Sequence, residues 1–135
     1  MQASSYEREL RDIFRKHGFL VVRAGGSLGI DLLAVKGTHI LPIEVKASRK
    51  RVHYTSDGSG RETEQLDRAA EMCRRAGLAN FLVCYRLVGE KFHGAKSKEV
   101  YWKYYVWPEY AKRRKHYIFK WEAGVPLAIL WCGLD

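Results

Sequence analysis

At 135 residues, 47% of them hydrophobic and 13% aromatic, the chain is long enough to bury one core and too apolar for intrinsic disorder. Twenty-four Lys and Arg against fifteen Asp and Glu leave a formal charge of +9, which points to a polyanionic partner, nucleic acid first, with a merely solvated basic surface as the alternative. Cys73, Cys84 and Cys132 form no C-x-x-C pair or Cys/His cluster, which argues against a zinc site or a disulfide framework and fits a reducing compartment. The longest apolar run, Val125–Cys132, is too short to span a bilayer, so no membrane anchor is expected.

Ser4 and Ser5 are N-cap residues and Gly18 a helix-ending residue, so a first helix is predicted from about 5 to 17. Tyr6, Leu10, Ile13 and Phe14 share one face of it. Glu7 lies beside that face in the first turn, where the helix dipole favours a carboxylate. Phe19–Arg23 reads as a short strand. The loop Ala24–Gly29 holds three glycines, either an ordinary connection or backbone able to approach a ligand closely.

Two apolar runs, Ile30–Val35 and Ile40–Val45, flank a Lys-Gly-Thr turn at 36–38 and predict a β-hairpin. Strand alternation puts Glu44 and Lys46 on one side of the second strand, and Asp31, opening the first, faces its end. Charges in so apolar a unit are tolerated only when paired or metal-bound. The expectation is a divalent cation held by Asp31 and Glu44, with Lys46 beside the reacting water. Hard oxygen ligands select Mg²⁺, with Mn²⁺ able to substitute. The Val45 carbonyl is a further candidate ligand.

A basic run, Arg49, Lys50 and Arg51, follows directly and would hold phosphates flanking such a centre. Val52–Tyr54 reads as a further short strand and Thr55–Arg61 as a polar loop. Glu62–Ala76 is predicted as a second helix with Leu66, Ala69, Ala70 and Cys73 inward and Gly77 ending it; Gln65 sits one turn in. Asn80–Leu87 is an apolar strand expected beside the hairpin. Past a polar loop over Gly89–Ser97, Glu99–Trp107 is predicted as an aromatic strand. Between 96 and 120 eight basic residues stand against two acidic ones, and the Lys112–Lys115 cluster is expected to contact DNA. The aromatics there are assigned to core and dimer interface. Gly124–Leu134 is expected as a short helix or turn at that interface. The order of elements predicts a single α/β domain over 1–135, a mixed central β-sheet flanked by helices.

Asp31 followed by Glu44-Val-Lys46 resembles the core of the PD-(D/E)xK nuclease superfamily. Tyr6-Glu-Arg-Glu-Leu10, then Val21-Val-Arg23-Ala-Gly-Gly-Ser27, then basic residues after Lys46 narrow it: over residues 4–85 the chain resembles the archaeal-type Holliday junction resolvases, also carried by some phages and viruses. The resemblance implies a restriction-endonuclease-like core and metal-dependent cutting of four-way DNA junctions. It makes Glu7 the carboxylate that completes the metal site, matches Arg8 to a phosphate-contacting arginine, and matches Arg23 and Ser27 to resolvase positions of the same type. Twofold junction symmetry implies an isologous homodimer in an intracellular, cytoplasmic setting of an archaeal, phage or viral host. Two departures stand out. Ile30 replaces a proline often found before the first acid, and Met1–Ser5 lacks the basic residue usual ahead of the Glu-Arg pair. Another nuclease of the same fold, restriction- or repair-type, or a basic DNA-binding module that does not cut, are the alternatives.

Overall fold

A computed structural model describes residues 3–24, 29–55, 61–107, 112–113 and 116–134, the side chains of 3, 4, 61, 107, 112, 113 and 116 excepted. In chain order it runs α1 (Ala3–Lys16), β1 (Leu20–Arg23), β2 (Leu32–Lys36), β3 (His39–Ser48), β4 (Val52–Tyr54), α2 (Arg61–Arg75) and β5 (Phe81–Leu87). A 3₁₀ turn (Lys98–Tyr101) leads into β6 (Trp102–Trp107), then β7 (Lys112–Arg113) and β8 (His116–Lys120). A second 3₁₀ turn (Trp121–Ala123) precedes β9 (Val125–Pro126) and α3 (Leu127–Cys132).

Both long helices stop at glycine for the same reason. At Gly18 (φ 87°) the Phe19 amide reaches back to the Phe14 carbonyl at 3.1 Å and the Gly18 amide to Arg15 at 3.0 Å. At Gly77 (φ 74°) Leu78 and Gly77 bond Cys73 and Arg74 at 2.8 and 3.1 Å. This pair of bonds closes a helix only with a left-handed residue, which glycine adopts without Cβ strain. At the first stop Phe19 also packs edge-on against Phe14, with centroids 5.1 Å apart.

Among the described residues the strands form a six-stranded sheet in the order β1-β2-β3-β5-β6-β9 and a three-stranded one, β4-β8-β7. The predicted hairpin is β2–β3, antiparallel, with Lys36 opposite His39 across Gly37-Thr38. β5 lies parallel to β3, Lys46 opposite Tyr85, the return passing through β4 and α2. The remaining pairs in the large sheet are antiparallel, which makes the sheet mixed. Apolar side chains cover both faces: Leu10, Ile13 and Phe14 of α1 with Leu127 and Trp131 of α3 on one, Leu66, Ala69 and Cys73 of α2 with Tyr117 and Phe119 of β8 on the other. Seven consecutive residues of β5 are buried accordingly.

One expectation is corrected. The predicted aromatic strand begins as the 3₁₀ turn Lys98–Tyr101, because the Ser97 side chain caps the Glu99 amide at 3.1 Å and winds the chain first. The C-terminal segment forms the expected short helix, and its inner face packs into this chain's own core: Trp131 stacks on His17 at 4.0 Å and meets Phe14 edge-on at 5.0 Å. Of the aromatics, Trp102, Tyr104 and Tyr105 are buried, as a core role requires.

A buried ion pair ties α1 to the sheet. Arg86, 8% exposed, donates to Glu9 from Nε at 2.8 Å and Nη2 at 3.3 Å, and Trp102 Nε1 donates to the same carboxylate at 2.8 Å. The guanidinium also lies over the Tyr6 and Tyr101 rings, at 5.4 and 4.6 Å. Breaking a buried pair strands the partner charge, so Arg86→Met is expected to lower the unfolding free energy by about 3 kcal/mol in urea titration. A loss below about 1 kcal/mol, the scale of a surface pair, would show that the pair is not the tether.

Candidate active site

The site forms where β2 separates from β3. Their last paired residues are Leu32 and Ile43, and the Asp31 amide adds one more bond to the Ile43 carbonyl at 2.9 Å. Beyond that point β3 runs on without β2, which would leave the Val45 amide without a strand partner. The Asp31 side chain takes its place: Oδ2 accepts from Val45 N at 2.7 Å. Satisfying a backbone donor this way also carries a carboxylate into the sheet.

Alternation then distributes the neighbours. Ile43 and Val45 face α1, so Glu44 and Lys46 face the α2 side. Glu7 comes from α1, on the other face, and accepts from Arg23 Nη2 at 3.2 Å; that arginine side chain is 46% exposed. Glu7 and Glu44 each lie within hydrogen-bond reach of Asp31, which stands between them. Lys46 Nζ is 3.6 Å from Glu44 Oε1 and 2.9 Å from Glu62 Oε1, and His53 Nε2 meets that same Glu62 oxygen at 3.0 Å.

The electrostatics are those of crowded acids. Burial, and then the adjacent Asp31, push the Glu44 carboxyl up to about 8 despite Lys46. Glu7 is raised in the same way, burial first and Asp31 second, against the pull of Arg23. Burial would lower the Lys46 ammonium, but Glu44 and Glu62 outweigh it and hold it above the usual lysine value. Burial alone would raise Glu62, yet hydrogen bonds from His53 and Lys46 bring it down to about 2. The crowding thus disfavours charge at Glu44 and Glu7, while Glu62 is a settled anion.

Among the described residues no three His, Cys, Asp or Glu side chains already close into a metal-binding group. Asp31 and Glu44 suit a hard ion nonetheless, since Mg²⁺ binds through one or two carboxylates and fills its shell with water and substrate phosphate. The donor set is all oxygen, the chemistry such an ion prefers.

The other predicted residues fall as follows. Arg8 is exposed on α1. Arg49 and Lys50 are exposed just past β3, but Arg51 is engaged by Glu90 at 2.7 Å and Glu122 at 2.9 Å. Ser27 and most of the glycine loop lie outside the described residues, as do Arg114, Lys115 and the side chains of Lys112 and Arg113. Gln65 is exposed, whereas Glu62, one turn before it, reaches Lys46. Neither Glu62 nor His53 was singled out by the sequence. The available signal was the alternation that sends Lys46 toward α2.

A family model described as archaeal Holliday junction resolvase matches residues 1–130. The chain is 43% identical over 53 residues to the crossover junction endodeoxyribonuclease of Methanocaldococcus jannaschii, a stretch covering 39% of this chain and 40% of that one. The aligned stretch thus spans less than half of that relative. The solved structure of the Archaeoglobus fulgidus Holliday junction resolvase superposes with a TM-score of 0.72 at 23% identity, covering 98% of this chain and 97% of the other. That likeness carries the nuclease-like fold.

Proposed function

The chain belongs to the archaeal Holliday junction resolvase family, and from that premise we propose that it is a divalent-metal-dependent endonuclease that resolves four-way DNA junctions. The observation that carries this reading is the Asp31 carboxylate held on the Val45 amide beside Glu44 and Lys46. It brings two hard ligands and one ammonium to the end of a sheet.

Asp31 and Glu44, with Glu7 from α1, would hold the ion, Mg²⁺ with Mn²⁺ as a substitute. When bound, it supplies Lewis-acid activation of water and charge neutralisation at the phosphate. Lys46 places its ammonium next to these acids, where it orients the attacking water and offsets charge developing on the phosphoryl oxygens. Arg23 keeps its exposed guanidinium at the rim through Glu7, within reach of a phosphate, and Arg8 presents a second cation from α1, next to Glu7 in the chain. Arg49 and Lys50 follow the DNA strand outward. Arg51 joins them only through donors its two carboxylates leave spare. Ser27 is assigned here from the family motif.

Two opposite nicks on a twofold junction require two such sites, so the acting form is a homodimer. Leu20, Val22 and Ile40, 67%, 50% and 38% exposed, lie on the sheet face away from α1 and offer apolar surface for a second copy to cover. The chain acts as one nuclease domain in an intracellular setting; among the described residues no helix is long and apolar enough to cross a membrane.

The deciding experiment offers junction, flap, mismatched and linear duplex DNA with Mg²⁺, with and without chelator. Paired symmetric nicks on the junction, lost on chelation, are expected, with binding that weakens steeply as salt rises. Cleavage of linear duplex alone, or cutting indifferent to chelator, overturns the reading.

A further inference from the structure

Lys46 is claimed by two carboxylates, and the nearer is not the metal-site acid. Its Nζ stands 2.9 Å from Glu62 Oε1 and 3.6 Å from Glu44 Oε1. We propose that Glu62, clamped by His53, is a positioning residue that holds the Lys46 ammonium in place and so leaves Glu44 free to bind the metal. The proposal rests on the nuclease reading of this site.

Three features support it. First, the geometry is specific: one oxygen, Glu62 Oε1, accepts from both Lys46 Nζ and His53 Nε2, at 2.9 and 3.0 Å. A lysine on four flexible bonds is a poor fixed charge unless something fixes it. With both side chains only about a fifth exposed (18% for Lys46, 21% for Glu62), solvent does little to loosen the pair.

Second, Glu62 and His53 are themselves held. Thr63, the next residue of α2, donates its hydroxyl to the Thr55 carbonyl at 2.7 Å and shares a hydroxyl contact with Thr55 at 2.8 Å, while the Thr55 hydroxyl accepts from the Tyr117 amide at 2.9 Å. The Tyr117 hydroxyl also donates to Asp67 of α2. The first turn of α2 is thereby pinned to the strand carrying His53. The His53 ring rests edge-on against Tyr85, 6.2 Å between centroids, and Tyr85 pairs with Lys46 in the sheet. The small second sheet thus reaches the site through His53, and α2 through Glu62.

Third, the charge arithmetic favours a carboxylate beyond the three ligand acids. If Glu44 had to neutralise Lys46 it would compete with its own task as a ligand. With Glu62 as the standing counter-ion, the lysine keeps its charge and its place whether or not Glu44 is engaged.

The test combines cleavage with a measurement that needs no metal. In single-turnover junction cleavage at saturating Mg²⁺, at a temperature where every variant remains folded, Glu62→Gln should slow the cutting step by roughly 10- to 100-fold with junction affinity unchanged, and Glu62→Asp should restore part of the rate. His53→Ala should lose less, since Lys46 still grips Glu62, and it serves if Glu62→Gln folds poorly. In chelator, amine labelling read by mass spectrometry should find Lys46 protected in the wild type and several-fold more reactive in Glu62→Gln, relative to exposed lysines such as Lys98. Wild-type cleavage speed in Glu62→Gln, or an equal loss of rate and Tm in every variant, overturns the proposal while leaving the nuclease reading intact. If the wild type cuts no junction at all, that reading fails instead, and the labelling comparison still decides whether Glu62 anchors Lys46.

Discussion

Asp31→Asn is expected to abolish junction cleavage while leaving junction binding within about twofold of the wild type, since phosphate contacts elsewhere carry the affinity. The effect divides cleanly because Asp31 does two jobs. As a carboxylate it carries a negative charge and would supply the proposed metal ligand; as an acceptor it satisfies the Val45 amide at 2.7 Å. Asparagine keeps the acceptor and loses the charge. Loss of a ligand that stabilises the transition state by several kcal/mol corresponds to about a thousandfold in rate. Stability should hold or rise, because the same charge raises Glu44 and Glu7. Asp31→Ala should differ: it strands a backbone donor and should cost about 1–3 kcal/mol in addition. Cleavage by Asp31→Asn at more than a tenth of the wild-type rate would remove Asp31 from the metal site.

The second large effect is on stability without metal. Glu44 ionises near 4.5 in an unfolded chain and at about 8 in the folded one. Below pH 4.5 both states hold the proton, and the group's contribution is fully present. Between pH 4.5 and 8 the unfolded chain releases it while the fold retains it, so stability falls as pH rises and the contribution is gone above 8. A shift of that size corresponds to about 5 kcal/mol across the window. Glu7 is displaced in the same direction and adds to the slope. Glu62 acts elsewhere: held at about 2, it contributes stability above pH 4.5 and loses it only as pH falls toward 2. Urea midpoints in chelator at pH 5, 6, 7 and 8 should therefore decline, and Glu44→Gln should flatten the decline. Added Mg²⁺ should recover most stability at pH 8, where the carboxylates are ready to take it. A slope that persists unchanged in Glu44→Gln would place the titration on another group.

The hairpin and its charged residues were legible because they rest on local rules. Alternation over residues 40–46 assigns Glu44 and Lys46 to one side from the order of letters alone, and Gly37 marks the turn. Helix ends at Gly18 and Gly77 are local in the same sense, each needing a left-handed residue after an apolar helical stripe. The 3₁₀ turn at Lys98–Tyr101 escaped notice because a single serine hydroxyl decides it, against a run of strand-forming aromatics. The burial of Trp131 against α1 was not legible for a different reason. An apolar C-terminal segment has two ways to leave water, a partner or its own core, and composition does not choose between them.

What the sequence determined by itself was the identity and order of the chemical groups: Asp31, Glu44 and Lys46 at hairpin spacing, Glu7 and Arg8 on a preceding helix, and a cationic surplus suited to DNA. Tertiary structure alone decided how these charges are compensated. Glu62 reaches Lys46, and His53 reaches Glu62, because α2 and β4 are pinned together through Thr55, Thr63 and Tyr117, and Arg51 is drawn off to Glu90 and Glu122. Covalent spacing along a strand or helix is set within a few residues, whereas the partner of a buried charge is chosen by whichever distant element folds against it.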